Sequence, residues 1–322
     1  MKNIKLLIGC LVFIVITFFI VLFCVFVTRD DVFYITTIPK GYSVVSKYDE
    51  ESEFNVEVLV SDKKSYVVNG TMPVKSFISS SVSEEIITTK IKEVKDLKLD
   101  RKINGRKYFV YLFKIGIDMK TENDVSFQFE NAVLNLEYTK NKDGLIKINI
   151  GNFYFYKVPY YGGENNYLNI TRIKPIVNYV GSNKSLAGLM LEVDSNYEKE
   201  IIIKDVIILN NDLCISKNDI IKNNLEFDSG ISIEEILGYD YNFFSKTENY
   251  DLDIIINRGE SIQLILPFKY LNKKIVDTIG FIIKYEANNS EYNIYYDDFK
   301  YFEVNSLNLD ISEIKITSYE NS

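Results

Sequence analysis

From Phe54 onward the apolar residues of this chain recur at every second position, and that period constrains the fold more than any other feature. Phe54, Val56, Val58 and Val60 are interleaved with Asn55, Glu57 and Leu59. Successive side chains of a strand point to opposite faces, so period two marks a strand with one buried and one wet face, where a helix would need period 3.6. Ile, Val, Tyr, Phe and Thr, the residues that suit a pleated surface, dominate the same region. The expected class is mainly β.

The alternation resolves into hairpins. Leu97, Leu99 and Ile103 lead to Asn104-Gly105, and Tyr108 to Ile117 returns; Asn-Gly suits a tight type I′ turn, whose two central residues need positive φ. A second antiparallel pair is expected where Ala132, Leu134, Leu136 and Tyr138 alternate up to Lys142-Asp143-Gly144, followed by Ile146, Ile148 and Ile150. Residues 82–94 fit a short helix nearly as well as an edge strand.

Between Pro159 and Tyr167 the pattern breaks at a run rich in Tyr, Gly and Asn, which places a boundary between a β-rich domain over 54–160 and a second over 167–322. Further strands follow, among them Leu186 to Val193, Glu200 to Leu209, Ile262 to Phe268 and Ile275 to Tyr285, with a last one near Ile311 to Ile316. Both domains read as antiparallel and sandwich-like. Ser232 with Glu235 forms a capping box closed by Gly238, expected as one helical turn over the end of the second sandwich. Pro267 removes a ladder donor, which predicts an edge strand or a bulge there. In strand spacing alone the second half resembles immunoglobulin-like sandwiches, and that resemblance brings no functional residue with it.

The N-terminus reads differently. Leu6 to Val27 carries no charge, is long enough for a transmembrane helix, and ends without a small-residue cleavage pattern. Lys2 and Lys5 precede it, whereas Arg29 is followed at once by Asp30 and Asp31. The expectation is a signal anchor over 6–27, with residues 1–5 cytoplasmic, a juxtamembrane segment over 28–53, and both β domains extracytoplasmic on a single-pass cell-membrane protein. The Ile, Lys, Asn and Tyr bias, with a single cysteine (Cys214) outside the anchor, points to a bacterial envelope.

Composition excludes more chemistry than it suggests. A net charge of −8 repels nucleic acid. The chain has no histidine, which removes the usual general base, the Ser-His-Asp and Cys-His arrangements and most zinc sites. Ser61 with Lys64 and Ser312 with Lys315 match S-x-x-K, about as often as chance gives in a chain so rich in both. Asn210-Asn211-Asp212 holds calcium-type oxygens without the loop that organises them, and no glycine-rich nucleotide signature occurs. The reading is no catalytic residue, no cofactor, no metal, no nucleic acid and no nucleotide. Its rival is an envelope carbohydrate hydrolase using paired carboxylates such as Asp251 with Asp253 or Asp297 with Asp298.

The positive feature is aromatic. Phe153, Tyr154, Phe155 and Tyr156 run into Tyr160 and Tyr161, so both faces of one strand carry rings and need two apolar environments. Tyr154, Tyr156, Tyr160 and Tyr161 are therefore the candidate contact surface, at the joint between the two domains. The functional expectation is a membrane-anchored binding or accessory protein that touches another envelope or membrane protein.

Overall fold

A computed structural model describes residues 16–18, 32–48, 50–117, 119, 123, 125–139, 145–158, 167–180, 183–223, 232–241, 252–271, 275–300 and 314–320. It is mainly β. Of the expected anchor only residues 16–18 are described, as helix, and among the described residues no helix is long and apolar enough to cross a membrane. The anchor, and with it the single-pass membrane location, is therefore corrected; residues 1–5 lie outside the described residues.

The stretch read as juxtamembrane holds two strands, β1 (Val32–Thr37) and β2 (Lys40–Lys47). β2 is buried along nearly its whole length, so it shows no alternation in sequence. They are followed by β3 (Ser52–Val60), β4 (Lys75–Ser79), β5 (Ile86–Ile103), β6 (Arg106–Ile117), β7 (Val125–Glu137) and β8 (Leu145–Val158). The ambiguous residues 82–94 run into β5, which pairs with β4 through Ile86–Thr89 and then with β6. Asn104 and Gly105 at the β5–β6 turn have φ of 50° and 77°, the two positive values that the Asn-Gly turn requires.

The C-terminal strand β18 (Thr317–Glu320) returns to the first half and pairs antiparallel with β1. Two layers result, β18-β1-β3-β6-β5 and β4-β7-β8-β2. Between them lies a core that includes Phe33, Phe54, Phe113, Leu134, Ile148 and Phe155.

The second half contains β9 (Leu168–Val180), β10 (Asn183–Ser195), β11 (Ile201–Ile208), β12 (Leu213–Ile215), β13 (Ile221–Asn223), β14 (Ile254–Ile256), β15 (Ser261–Tyr270), β16 (Ile275–Ala287) and β17 (Ser290–Lys300). One layer is β9-β10-β15 with β12 and β13 both on the far side of β15; the other is β14-β11-β16-β17. Leu189, Leu191, Leu264, Ile203, Phe281 and Ile283 fill the space between.

The helix α1 (Ile233–Leu237) forms with the expected capping box and with Gly238 in the left-handed region. It covers the outer face of β9-β10-β15 and not an end of the sandwich, because Ile176, Met190 and Ile265 make that face apolar as well. Pro267 does not lie on an edge strand. β15 is flanked on both sides, and the proline sits where its outer partner changes from β13 to β12. The Pro267 carbonyl accepts from Ser216 N–H at 2.8 Å. Within an extended strand N–H and C=O of one residue face the same side, so the missing donor faces this break and no ladder bond is lost.

The expectation of purely antiparallel sheets is corrected at β2. It runs parallel to β8 on one side and parallel to β16 on the other, so one hydrogen-bonded sheet continues from the first half into the second. The expected boundary segment, 159–166, lies outside the described residues.

Candidate functional site

The aromatic strand is β8. Phe153 and Phe155 enter the first core, and Tyr154 is 2% exposed. Tyr156 packs with Val45, Val158, Leu209, Ile282 and Tyr295, a cluster made by both halves. Phe153 and Phe155 thus meet the first core and Tyr156 a second apolar cluster, formed in part by β16 and β17. Tyr154 is not available as a contact residue; Tyr160 and Tyr161 lie outside the described residues.

Around Tyr154 the seam is polar and closely bonded. Asn152 Nδ2 donates to Asp212 Oδ1 at 2.7 Å, and the Asp212 N–H donates to Asn210 Oδ1 at 2.8 Å. Ser43 Oγ donates to the Leu209 carbonyl and accepts from Gly280 N–H. Asn211 Nδ2 donates to Gln128 Oε1 at 2.8 Å. Of the oxygens considered for calcium, Asn210 Oδ1 and Asp212 Oδ1 are thereby engaged with protein donors, and the Asn152–Asp212 and Asn211–Gln128 bonds join the two halves. Burial, and after it the Asp212 charge, push the Tyr154 hydroxyl well above its ordinary pKa against the opposing Asn152 hydrogen bond.

Of the two carboxylate pairs, only the Asp253 side chain lies among the described residues. Asp253 pairs with Lys204 at 2.9 Å; Asp251 and the side chains of Asp297 and Asp298 lie outside the description. Ser61 Oγ accepts from the Tyr34 N–H, a structural role.

A different surface was missed. From Lys98 to Lys107 the chain carries five basic side chains and one acidic, in a protein of net charge −8. The signal is a short charge window, hidden because Leu99, Asp100 and Ile103 interrupt it. Folding places it at the β5–β6 turn. Strand alternation there turns Ile103, Tyr108 and Val110 away from the main core, into a small cluster with Ile38, Leu59, Tyr34 and Ile316. Ile103, the Asn104-Gly105 turn, Arg106, Tyr108 and Ile316 line an open groove of about 540 Å3. The Arg106 guanidinium lies 3.3 Å over the Tyr34 ring, a cation–π contact that holds the cation at the groove. Tyr108 is fully buried and its hydroxyl meets no partner at hydrogen-bond geometry. Burial raises its pKa against the opposing pull of Arg106.

No family model matches this chain, and no curated protein matches it. Among solved structures it is similar to a protein of unknown function from Porphyromonas gingivalis W83, at 8% identity and a TM-score of 0.22 over 82% of this chain and 99% of that one. It is also similar to BspA_C_WT, at 8% identity and TM-score 0.22 over 80% and 97%, and to a titin Ig tandem, at 8% and 0.20 over 83% and 96%. Scores at this level carry no argument about fold family or activity.

Proposed function

We propose that this chain is a binding protein that acts by contact with another protein, and that the basic β5–β6 hairpin with its groove is the contact surface. One observation carries the reading: a hairpin with five basic side chains in ten residues, whose exposed Arg106 stands at the mouth of a groove floored by Ile103, Tyr108 and Ile316, on a chain of net charge −8. Such a patch creates a local potential opposite to that of the whole molecule, which steers and orients an approaching partner. Apolar lining with a few fixed polar groups is the usual make-up of a recognition site.

The architecture supports the same reading. Immunoglobulin-type sandwiches pair strands A-B-E-D over C-F-G; the order β9-β10-β15-β12 over β11-β16-β17, with β14 beyond β11, follows that scheme. The second half is on this reading an immunoglobulin-like module, joined through β2 to a first sandwich that presents the groove.

A photo-crosslinking side chain placed at Lys102 in the producing cell tests the site, with the same group at Glu198, an exposed turn residue of the second half, as comparison. An adduct of one defined mass at Lys102 and none at Glu198 is expected. No adduct at Lys102, or the same adducts at both positions, overturns the proposal.

A further inference from the structure

We infer that Tyr167 and Tyr292 form an oxidative cross-linking site, where a haem peroxidase with hydrogen peroxide joins the two rings as dityrosine and so ties together the two layers of the second sandwich. Tyr167 immediately precedes β9 and Tyr292 lies on β17, the outermost strands of their layers among the described residues. The rings meet edge to face, with centroids 5.3 Å apart and an interplanar angle of 84°. Both are half-buried, so an oxidant can reach them. The Tyr167 hydroxyl is hydrogen-bonded to Tyr292, and this bond is the main cause that holds its pKa above the ordinary value. Dityrosine forms between the ring carbons beside each hydroxyl. A pair whose hydroxyls already touch brings those carbons close without rearranging the backbone.

Burial and bonding separate this pair from the other tyrosine contacts. Tyr285 stacks on Tyr292 at 5.4 Å but is 1% exposed, and its hydroxyl is hydrogen-bonded to the backbone of Tyr167 and Leu168. Tyr66 and Tyr138, 5.2 Å apart, are both buried in the first core. Tyr197 comes within 4.4 Å of Tyr167, yet it lies in the turn after β10, the strand paired with β9. A bond to it would close a hairpin and leave the layers unjoined. The step balances with the oxidant named. Each phenol gives up one electron and its proton, the two phenoxyl radicals couple through a carbon beside each oxygen, and the hydrogen on each coupled carbon moves to the oxygen. Hydrogen peroxide takes up the two electrons and two protons and leaves as two waters. Such a tie has a structural use here, because Cys214 is the one cysteine outside residues 6–27 and no disulfide can staple the sandwich.

The test treats the purified full chain, kept dilute, with a haem peroxidase and hydrogen peroxide. The chain has no tryptophan, so dityrosine fluorescence is read without interference. The treated chain is expected to stay monomeric on a denaturing gel and to gain that fluorescence. Proteolysis and mass spectrometry should then find one peptide pair, joined from Tyr167 to Tyr292 and lacking two hydrogens. The urea midpoint should rise, because a cross-link between distant residues restricts the unfolded chain. Tyr167→Phe and Tyr292→Phe each keep the ring and remove one hydroxyl, and each should lose both the fluorescence gain and the midpoint shift. Tyr197→Phe, and Tyr239→Phe at an exposed position, should keep both. A peptide pair joining Tyr167 to Tyr197, linkage only between copies of the chain, or linkage spread over many tyrosines would overturn the inference. So would an undiminished signal in the Tyr167→Phe and Tyr292→Phe variants, or an unmoved urea midpoint in the linked chain.

Discussion

Gly151 shows how one residue can set the register of a parallel ladder. Its φ is +102°, and a Cβ added there would fall on the backbone of Lys40, the residue it pairs with in the parallel β2–β8 ladder. Only glycine tolerates both the conformation and the approach. Gly151→Ala should therefore destabilise the chain by about 3 kcal/mol or more, read from the midpoint of urea denaturation. A loss below about 1 kcal/mol would mean that the ladder can shift freely. Tyr154, a few residues along the same strand, is buried against the Asn152–Asp212 pair. Tyr154→Ala is expected to cost about 3–5 kcal/mol through the cavity it leaves. Tyr154→Phe, which keeps the ring, should cost only about 1 kcal/mol. Equal effects of the two would show that the hydroxyl, and not the packing, is what matters.

At the scale of elements, β5 carries a liability and its remedy. Beyond Thr89 it loses β4 as a neighbour, and its outer edge has no strand partner among the described residues. Open edges invite pairing with other chains. Bulges between Ile91 and Glu93 and between Asp96 and Leu99 interrupt the ladder geometry, and Lys90, Lys95 and Lys98 project from it into solvent. The second bulge puts Lys98 at a φ of 58°, held by Asp96, which takes both the Lys98 N–H at 2.7 Å and its ammonium at 2.9 Å. These contacts hold the Asp96 carboxyl below its usual pKa. The double variant Lys90→Val, Lys95→Val should aggregate on concentration, by light scattering, while keeping a β-type circular dichroism spectrum. A variant that stays as monodisperse as the parent would show that the bulges alone protect the edge.

For the molecule as a whole, the parallel pairs of β2 and the polar seam around Asp212 couple the two cores. We expect a single unfolding transition, with intrinsic tyrosine fluorescence and circular dichroism coinciding; two separated transitions would show that the sandwiches unfold independently. Stability should also depend on alkaline pH. Burial raises Tyr285 to about 12 and moves Tyr138, Tyr154, Tyr241 and Tyr270 further above the usual value of 10.0. Above about pH 10 the unfolded chain releases protons that the folded chain retains, so this stabilisation is complete below pH 10 and is lost as pH rises towards the folded values. Lys269, whose pKa burial lowers, acts in the opposite direction as pH rises towards its unfolded value, but it is one group against five. Urea midpoints that fall steadily from about pH 9 to pH 11 are expected, and a flat or rising series would contradict this account.

How much of this was legible in the sequence follows from the range of the interactions involved. Alternation fixed the mainly β class, the Asn104-Gly105 turn and the Ser232–Glu235 cap, because each depends on residues adjacent in the chain. The charge window at Lys98–Lys107 was equally local, although the intervening apolar residues disguised it. Tertiary structure alone decided that β1 and β2 belong to the core, since a strand buried on both faces shows no alternation. It alone brought β18 back to β1, set β2 between β8 and β16, and buried Tyr154 while leaving Arg106 exposed. The β1–β18, β2–β8 and β2–β16 pairings join residues more than a hundred positions apart. The sequence specifies which faces are apolar, but not which of several apolar faces will meet.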